Sequence, residues 1–161
     1  MKTYKNTLHG KLIRHIGFVI IYLLTSLTTL NVMAEGVIIV HSSNTTVINL
    51  VDVKKWYLGK KSTFTNGKKV KPMLPNENDN LKVSFYQKVI RKSNAQYNAY
   101  WAKRVFTGKG SPPALVSSQQ IIQEVSTNTD RIGVVDASLI DGKNIRVIQT
   151  FKLDSTNDFF K

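Results

Sequence analysis

Runs of apolar residues alternate with segments of helical spacing along this chain, and polar, Gly- or Pro-containing stretches separate them. Gly36-Val-Ile-Ile-Val40 is a short, β-branched apolar run that predicts a buried strand, and it leads into the polar turn His41-Ser-Ser-Asn44. Apolar residues at Leu50, Val53, Tyr57 and Leu58 predict a short helix with Lys54 and Lys55 facing outward and Gly59 as the residue that ends it. Thr65-Asn66-Gly67-Lys68 reads as a turn, and Val70 to Leu74 as a strand interrupted by Pro72. After the loop Pro75–Asn80, the spacing of Phe85, Val89 and Ile90 predicts a helix.

Ser93 followed by Gln96 forms a capping-box signature for a second helix carrying Tyr97, Tyr100, Trp101, Val105 and Phe106. Thr107–Pro113 stops that helix, and Ser117 with Gln120 opens another through Ile121, Ile122 and Val125. Arg131–Asp136 reads as a strand, Ala137–Ile140 as a turn of helix, and Ile145–Phe151 as the last strand, with 154–161 as a frayed tail. Strands and helices alternate, which predicts an α/β class.

The N-terminal stretch follows a different pattern. Lys2, Lys5, Lys11 and Arg14 give a basic start without an acid, Ile16–Val32 is free of Asp, Glu, Lys and Arg, and Val32-Met33-Ala34 ends in a small residue before Glu35. That is the three-part pattern of a secretory signal peptide over 1–34, with cleavage after Ala34 and a single periplasmic domain over 35–161. The alternative is a retained membrane anchor, because Ile16–Ala34 approaches the ~20 residues that span a bilayer.

Composition narrows the chemistry. Cysteine is absent, which excludes disulfides, thiol nucleophiles and cysteine metal sites. Residues 35–161 hold 19 basic and 10 acidic side chains, a net charge of +9, which favours an anionic partner: a phosphate-like solute, acidic polysaccharide, lipid headgroups or nucleic acid. A lysine-rich solvated surface accounts for the same number without any partner.

No Gly-rich phosphate loop, G-x-S-x-G elbow or H-E-x-x-H is present, and His41 is the one histidine after the leader. His41 beside Ser42 and Ser43 has the residue types of a base and a nucleophile, but neighbours at a strand end point to opposite sides. A non-enzymatic binding module without cofactor or metal is the expectation. Two places offer donors to an anion. Ser42, Ser43 and Asn44 stand at the carboxyl end of the first strand, where ligands collect in open α/β sheets. Asn80 as a cap and Lys82 in the first turn stand at the start of the helix after Asp79, where helix N–H groups favour negative charge. An ordinary capped helix with a solvated lysine is the competing reading there. The aromatic group Tyr97, Tyr100, Trp101 and Phe106 is expected in the core, and a stacking platform would need its rings exposed.

The order of these segments resembles the phosphate-type substrate-binding proteins of ABC importers, in particular their small single-domain members. The resemblance rests on Val37–Asn44, Val53–Lys60, the Thr-Asn-Gly turn with its Pro-containing strand, Phe85–Ile90, Tyr100-Trp101, Phe106–Gly108 and Arg131–Val135. It implies one lobe of a type II periplasmic-binding-protein fold, a mixed sheet flanked by helices. It also implies an exported protein that binds phosphate or a related oxyanion, with importer membrane subunits as partners and no nucleic acid. The family's full proteins have two lobes and grip phosphate with a Ser-Gly-Thr run opening a helix. Here the matching positions are Asn80, Leu81 and Lys82, without the glycine or either hydroxyl. The alternative is an interaction or sensory accessory module that keeps the lobe and meets an acidic envelope protein.

Overall fold

The computed structural model describes residues 34–77, 79–140 and 144–154, and the leader expected over 1–34 falls outside them except for Ala34. Every described residue belongs to one compact unit, Met33–Lys161. Among the described residues five strands alternate with helices: β1 (Glu35–His41), α1 (Leu50–Tyr57), β2 (Lys71–Pro75), α2 (Asp79–Phe85), a π-helical turn (Tyr86–Ile90), α3 (Asn94–Phe106), β3 (Ala114–Val116), α4 (Ser118–Thr127), β4 (Arg131–Asp136), a 3-10 turn (Ala137–Leu139) and β5 (Ile145–Lys152).

The strands form one mixed sheet in the order β3-β2-β4-β1-β5. β2 pairs in parallel with both β3 and β4, whereas β1 runs antiparallel to β4 and to β5. Four strands therefore share a direction, and β1 alone opposes them. β1 and β4 are central and covered on both faces, which is why their sequences are continuous apolar runs rather than alternating ones.

One face of the sheet, through Ile38, Val40, Leu74, Ile132 and Val134, packs under α1, α2, α3 and the π-helical turn. The opposite face, through Val37, Ile39, Met73 and Val135, is covered by Ile121 and Val125 of α4. The result is a three-layer lobe. Two helices start where expected: Ser93 and Gln96 form the full capping box of α3, and the Ser117 side chain caps α4 through Gln120 N–H. The strand β3 has no counterpart among the expected elements. It has three residues and exists through its pairing to β2.

The aromatic face of α3 closes the C-terminal end of α1. Tyr97 Oη donates to the Tyr57 carbonyl at 3.0 Å, Tyr100 Oη to the Leu58 carbonyl at 2.7 Å, and the Arg104 guanidinium to the Gly59 carbonyl at 3.1 Å. Helix ends leave carbonyls without intrahelical partners, and these donors satisfy them. Tyr97 and Trp101 are buried, as expected for core residues, but Phe106 at the end of α3 is 92% exposed.

Candidate functional site

The strand directions decide where the candidate residues fall. β2, β3, β4 and β5 deliver their carboxyl ends to one edge of the sheet, at Pro75, Val116, Asp136 and Lys152. β1 delivers its carboxyl end to the other edge, with Val40 opposite Ile132 and His41 opposite Ile145. Ser42, Ser43 and Asn44 therefore lie at the amino edge, while Asn80 and Lys82 lie at the carboxyl edge. The structure does not bring the two groups together. The ligand rule for open sheets holds for strands that share a direction, and β1 does not share it.

At the amino edge, residues 41–44 form a turn closed by Asn44 N–H donating to the His41 carbonyl at 2.9 Å. Asn44 is buried, and its side-chain oxygen accepts from the Thr46 N–H at 3.2 Å and hydroxyl at 2.6 Å. Ser42 and Ser43 are exposed. The Ser43 hydroxyl reaches His41 Nδ1 at 2.7 Å, and its N–H donates to the same nitrogen at 3.0 Å. Residues two apart, rather than adjacent ones, share a side here. Among the described residues no carboxylate bonds His41 to orient the ring, so the pair lacks the third member of a hydrolytic triad. Arg146 was not among the expected residues. Its Nη2 donates to the Thr46 carbonyl at 2.9 Å, which makes it the cation of this turn, and its buried Nε has no hydrogen-bond partner among the described residues. Only the register of β5 against β1 reveals that proximity.

At the carboxyl edge, α2 begins at Asp79, so Asn80 lies inside the helix instead of capping it. Its Nδ2 donates to the Asp154 carbonyl at 2.9 Å, and Asp154 N–H donates to Ser84 Oγ at 3.0 Å. Asn80 thus ties α2 to the end of β5. Lys82 Nζ lies 2.8 Å from Asp79 Oδ1 and 3.3 Å from the Asn76 carbonyl, with its side chain 14% exposed. The hydrogen bond and charge of Lys82 hold the Asp79 carboxyl below its ordinary range. Glu77 accepts the Ser118 N–H at 2.6 Å at the start of α4, and the Ser118 donors lower its pKa as well. Lys88 closes the edge by pairing with Asp154. Lys82 and Lys88 are each matched with a carboxylate, so an incoming anion has to take Lys82 from Asp79.

A cleft of about 330 Å³ opens at the amino edge between Trp56, Trp101, Pro72 and Pro112, with Lys61 and Lys71 beside it. Those lysines pair with Asp52 and Asp130, each at 2.9 Å. No group of three His, Cys, Asp or Glu side chains that could hold a metal occurs among the described residues. No described helix is long and apolar enough to cross a membrane.

No family model matches the sequence, and no curated protein does. Solved structures do match the fold. A putative phosphate ABC transporter substrate-binding protein with bound phosphate from Clostridium perfringens is similar at a TM-score of 0.52 and 16% identity, over 72% of this chain and 44% of that one. An ABC-type phosphate transport receptor from Vibrio cholerae is similar at a TM-score of 0.46 and 14% identity, over 73% of this chain and 46% of that one. The chain therefore has the fold of one lobe of the Clostridium perfringens protein, and it spans less than half the length of either.

Proposed function

We propose that this chain is an exported, non-enzymatic solute-binding-like protein whose lobe takes phosphate or a related oxyanion at the carboxyl edge of its sheet, in connection with ABC-type uptake. The observation that carries the reading is Lys82, a mostly covered side chain whose ammonium is held against the Asn76 carbonyl and the exposed Asp79 carboxylate at the end of the parallel strands. Fold-level similarity to a phosphate-bound protein supports the ligand class. The periplasm is the proposed location, on the signal-peptide pattern of 1–34.

A single lobe encloses an anion on one side only, and enclosure supplies much of the affinity of a small-solute site. Affinity is accordingly weak, with a Kd on the order of 1 mM. Calorimetric titration with phosphate and sulfate tests this. Saturable heat that Lys82→Ala removes supports it, and no heat with any small anion sinks it.

A second reading, an accessory module that meets an acidic envelope partner through its basic surface, is favoured by one observation. Asn80 and Lys82 are already engaged within the protein. That reading predicts an acidic protein captured by crosslinking in the envelope and no small-anion heat.

A further inference from the structure

The positive charge of this protein is not spread over its surface. Segments 50–71 and 100–114 hold ten of the 19 basic residues of 35–161 and only one of its ten acids, Asp52. Their net charge of +9 equals that of the whole 35–161 region, and the remainder carries nine basic and nine acidic residues.

The fold joins these two segments into one pole. α1 and the 60–70 turn lead into the start of β2, and α3 with the 107–113 loop leads into the start of β3. Both therefore gather at the amino edge, away from Asp79 and Lys82. Arg104 stitches them, donating to the Gly59 carbonyl at 3.1 Å and the Lys109 carbonyl at 2.6 Å. Lys55, Lys60, Lys68, Lys69, Lys103 and Lys109 are exposed there, and none pairs with a carboxylate among the described residues.

An apolar tip stands in the middle of that charge. Phe106 is 92% exposed and Val105 is 54% exposed, between Lys103, Arg104 and Lys109. The loop beyond them is open, since a Cβ at Gly108 or Gly110 would meet nothing within 4 Å. A polyanion such as nucleic acid is met by several exposed rings, yet Trp56, Tyr97 and Trp101 are all buried. Lone exposed apolar residues are ordinary. A nearly fully exposed Phe with a Val neighbour, flanked in sequence by Lys103, Arg104 and Lys109, matches a negatively charged bilayer: the cations meet headgroups while the ring enters the acyl boundary.

We infer that this pole docks on anionic phospholipid membranes, with Val105 and Phe106 inserting and the lysines of both segments reading the headgroup charge. Docking this way is independent of oxyanion binding and leaves the carboxyl edge of the sheet facing away from the lipid.

The chain has no cysteine, so Thr107→Cys accepts a single environment-sensitive fluorophore beside the intact tip, and Ser138→Cys provides a control at the far edge. Reporting from position 107 separates this pole from any lipid contact made by the apolar N-terminal segment. Vesicles containing phosphatidylglycerol should shift the 107 emission to the blue, with quenching by brominated acyl chains, and Phe106→Ser should abolish the shift. The 138 label should stay unchanged. Salt at about 0.5 M should reverse the response, because headgroup charge is then screened. Lys103→Glu with Lys109→Glu should weaken the partition about tenfold or more. No shift on anionic vesicles overturns the inference. So does an equal shift on phosphatidylcholine alone, or a response to DNA or heparin in place of vesicles.

Discussion

The Lys82 ammonium sits 2.8 Å from the Asp79 carboxylate, three residues earlier in the first turn of α2, and also donates to the Asn76 carbonyl. The pair sets the terms on which the carboxyl edge can meet an anion. Asp79 is exposed and competes for the same cation, so removing its charge frees Lys82 without emptying a buried space. Asp79→Asn should raise phosphate affinity by a factor of about two to five, the modest gain expected from removing an exposed competing charge. Calorimetry on wild type, Asp79→Asn and Lys82→Ala should rank them in the order Asn above wild type above Ala.

Glu77 stabilises the start of α4 through the buried Ser118 N–H. Glu77→Ala should cost about 1 kcal/mol, the usual worth of a capping acceptor. The Ser118 hydroxyl and N–H hold the Glu77 carboxyl below its ordinary 4.5 in the folded state. A lowered folded pKa means that this stability is present above the unfolded value. It is lost as pH falls below 4.5 and through the folded value. Urea midpoints followed from pH 7 downward should show a steeper acid loss in wild type than in Glu77→Ala.

The α1–α3 seam predicts an alkaline limit. Burial raises the pKa of both Tyr57 and Tyr97 above 10.0, because neither phenolate is solvated where the hydroxyl sits. Stability contributed by the neutral phenols is full below 10.0 and declines as pH rises past it toward their folded values. Tyr97→Phe removes the bond to the Tyr57 carbonyl, which Trp101 Nε1 still serves at 3.3 Å, so the expected loss is about 1 kcal/mol. Thermal unfolding monitored at pH 7 and pH 11 separates the two effects.

Gly133 lies where α4 crosses the sheet, and a Cβ there would come within 2.1 Å of Ile121 Cγ2. Gly133→Ala forces α4 outward or Ile121 off its rotamer and should cost about 1–3 kcal/mol, measurable by denaturant unfolding. Because Ile121 is itself buried, the double variant Gly133→Ala with Ile121→Ala should lose less stability than the sum of the two single variants, which is the signature of that contact.

Much of the lobe was legible in the sequence because its signals are local. The apolar run Val37–Val40 encodes a strand buried on both faces, and Ser93 with Gln96 marks the start of α3 to the residue. What stayed hidden depends on partners far along the chain. β3 is three residues long and owes its existence to β2. The reversed direction of β1, which separates Ser42–Asn44 from Asn80 and Lys82, has no trace in spacing or composition. Asn80 looks like a cap in the sequence, but its side chain serves a carbonyl 74 residues later, at Asp154. The resemblance in motif order predicted one lobe of a binding-protein fold, and the sheet and its helices have that form.

The most direct test of the proposed site is a phosphate titration followed at each backbone amide by NMR. Oxyanion capture at the carboxyl edge predicts saturable shifts centred on residues 79–82, absent in Lys82→Ala, with Ser42–Asn44 unmoved. Shifts centred on Ser42–Asn44 or on the basic pole would contradict it, and so would no saturable shift at any phosphate concentration.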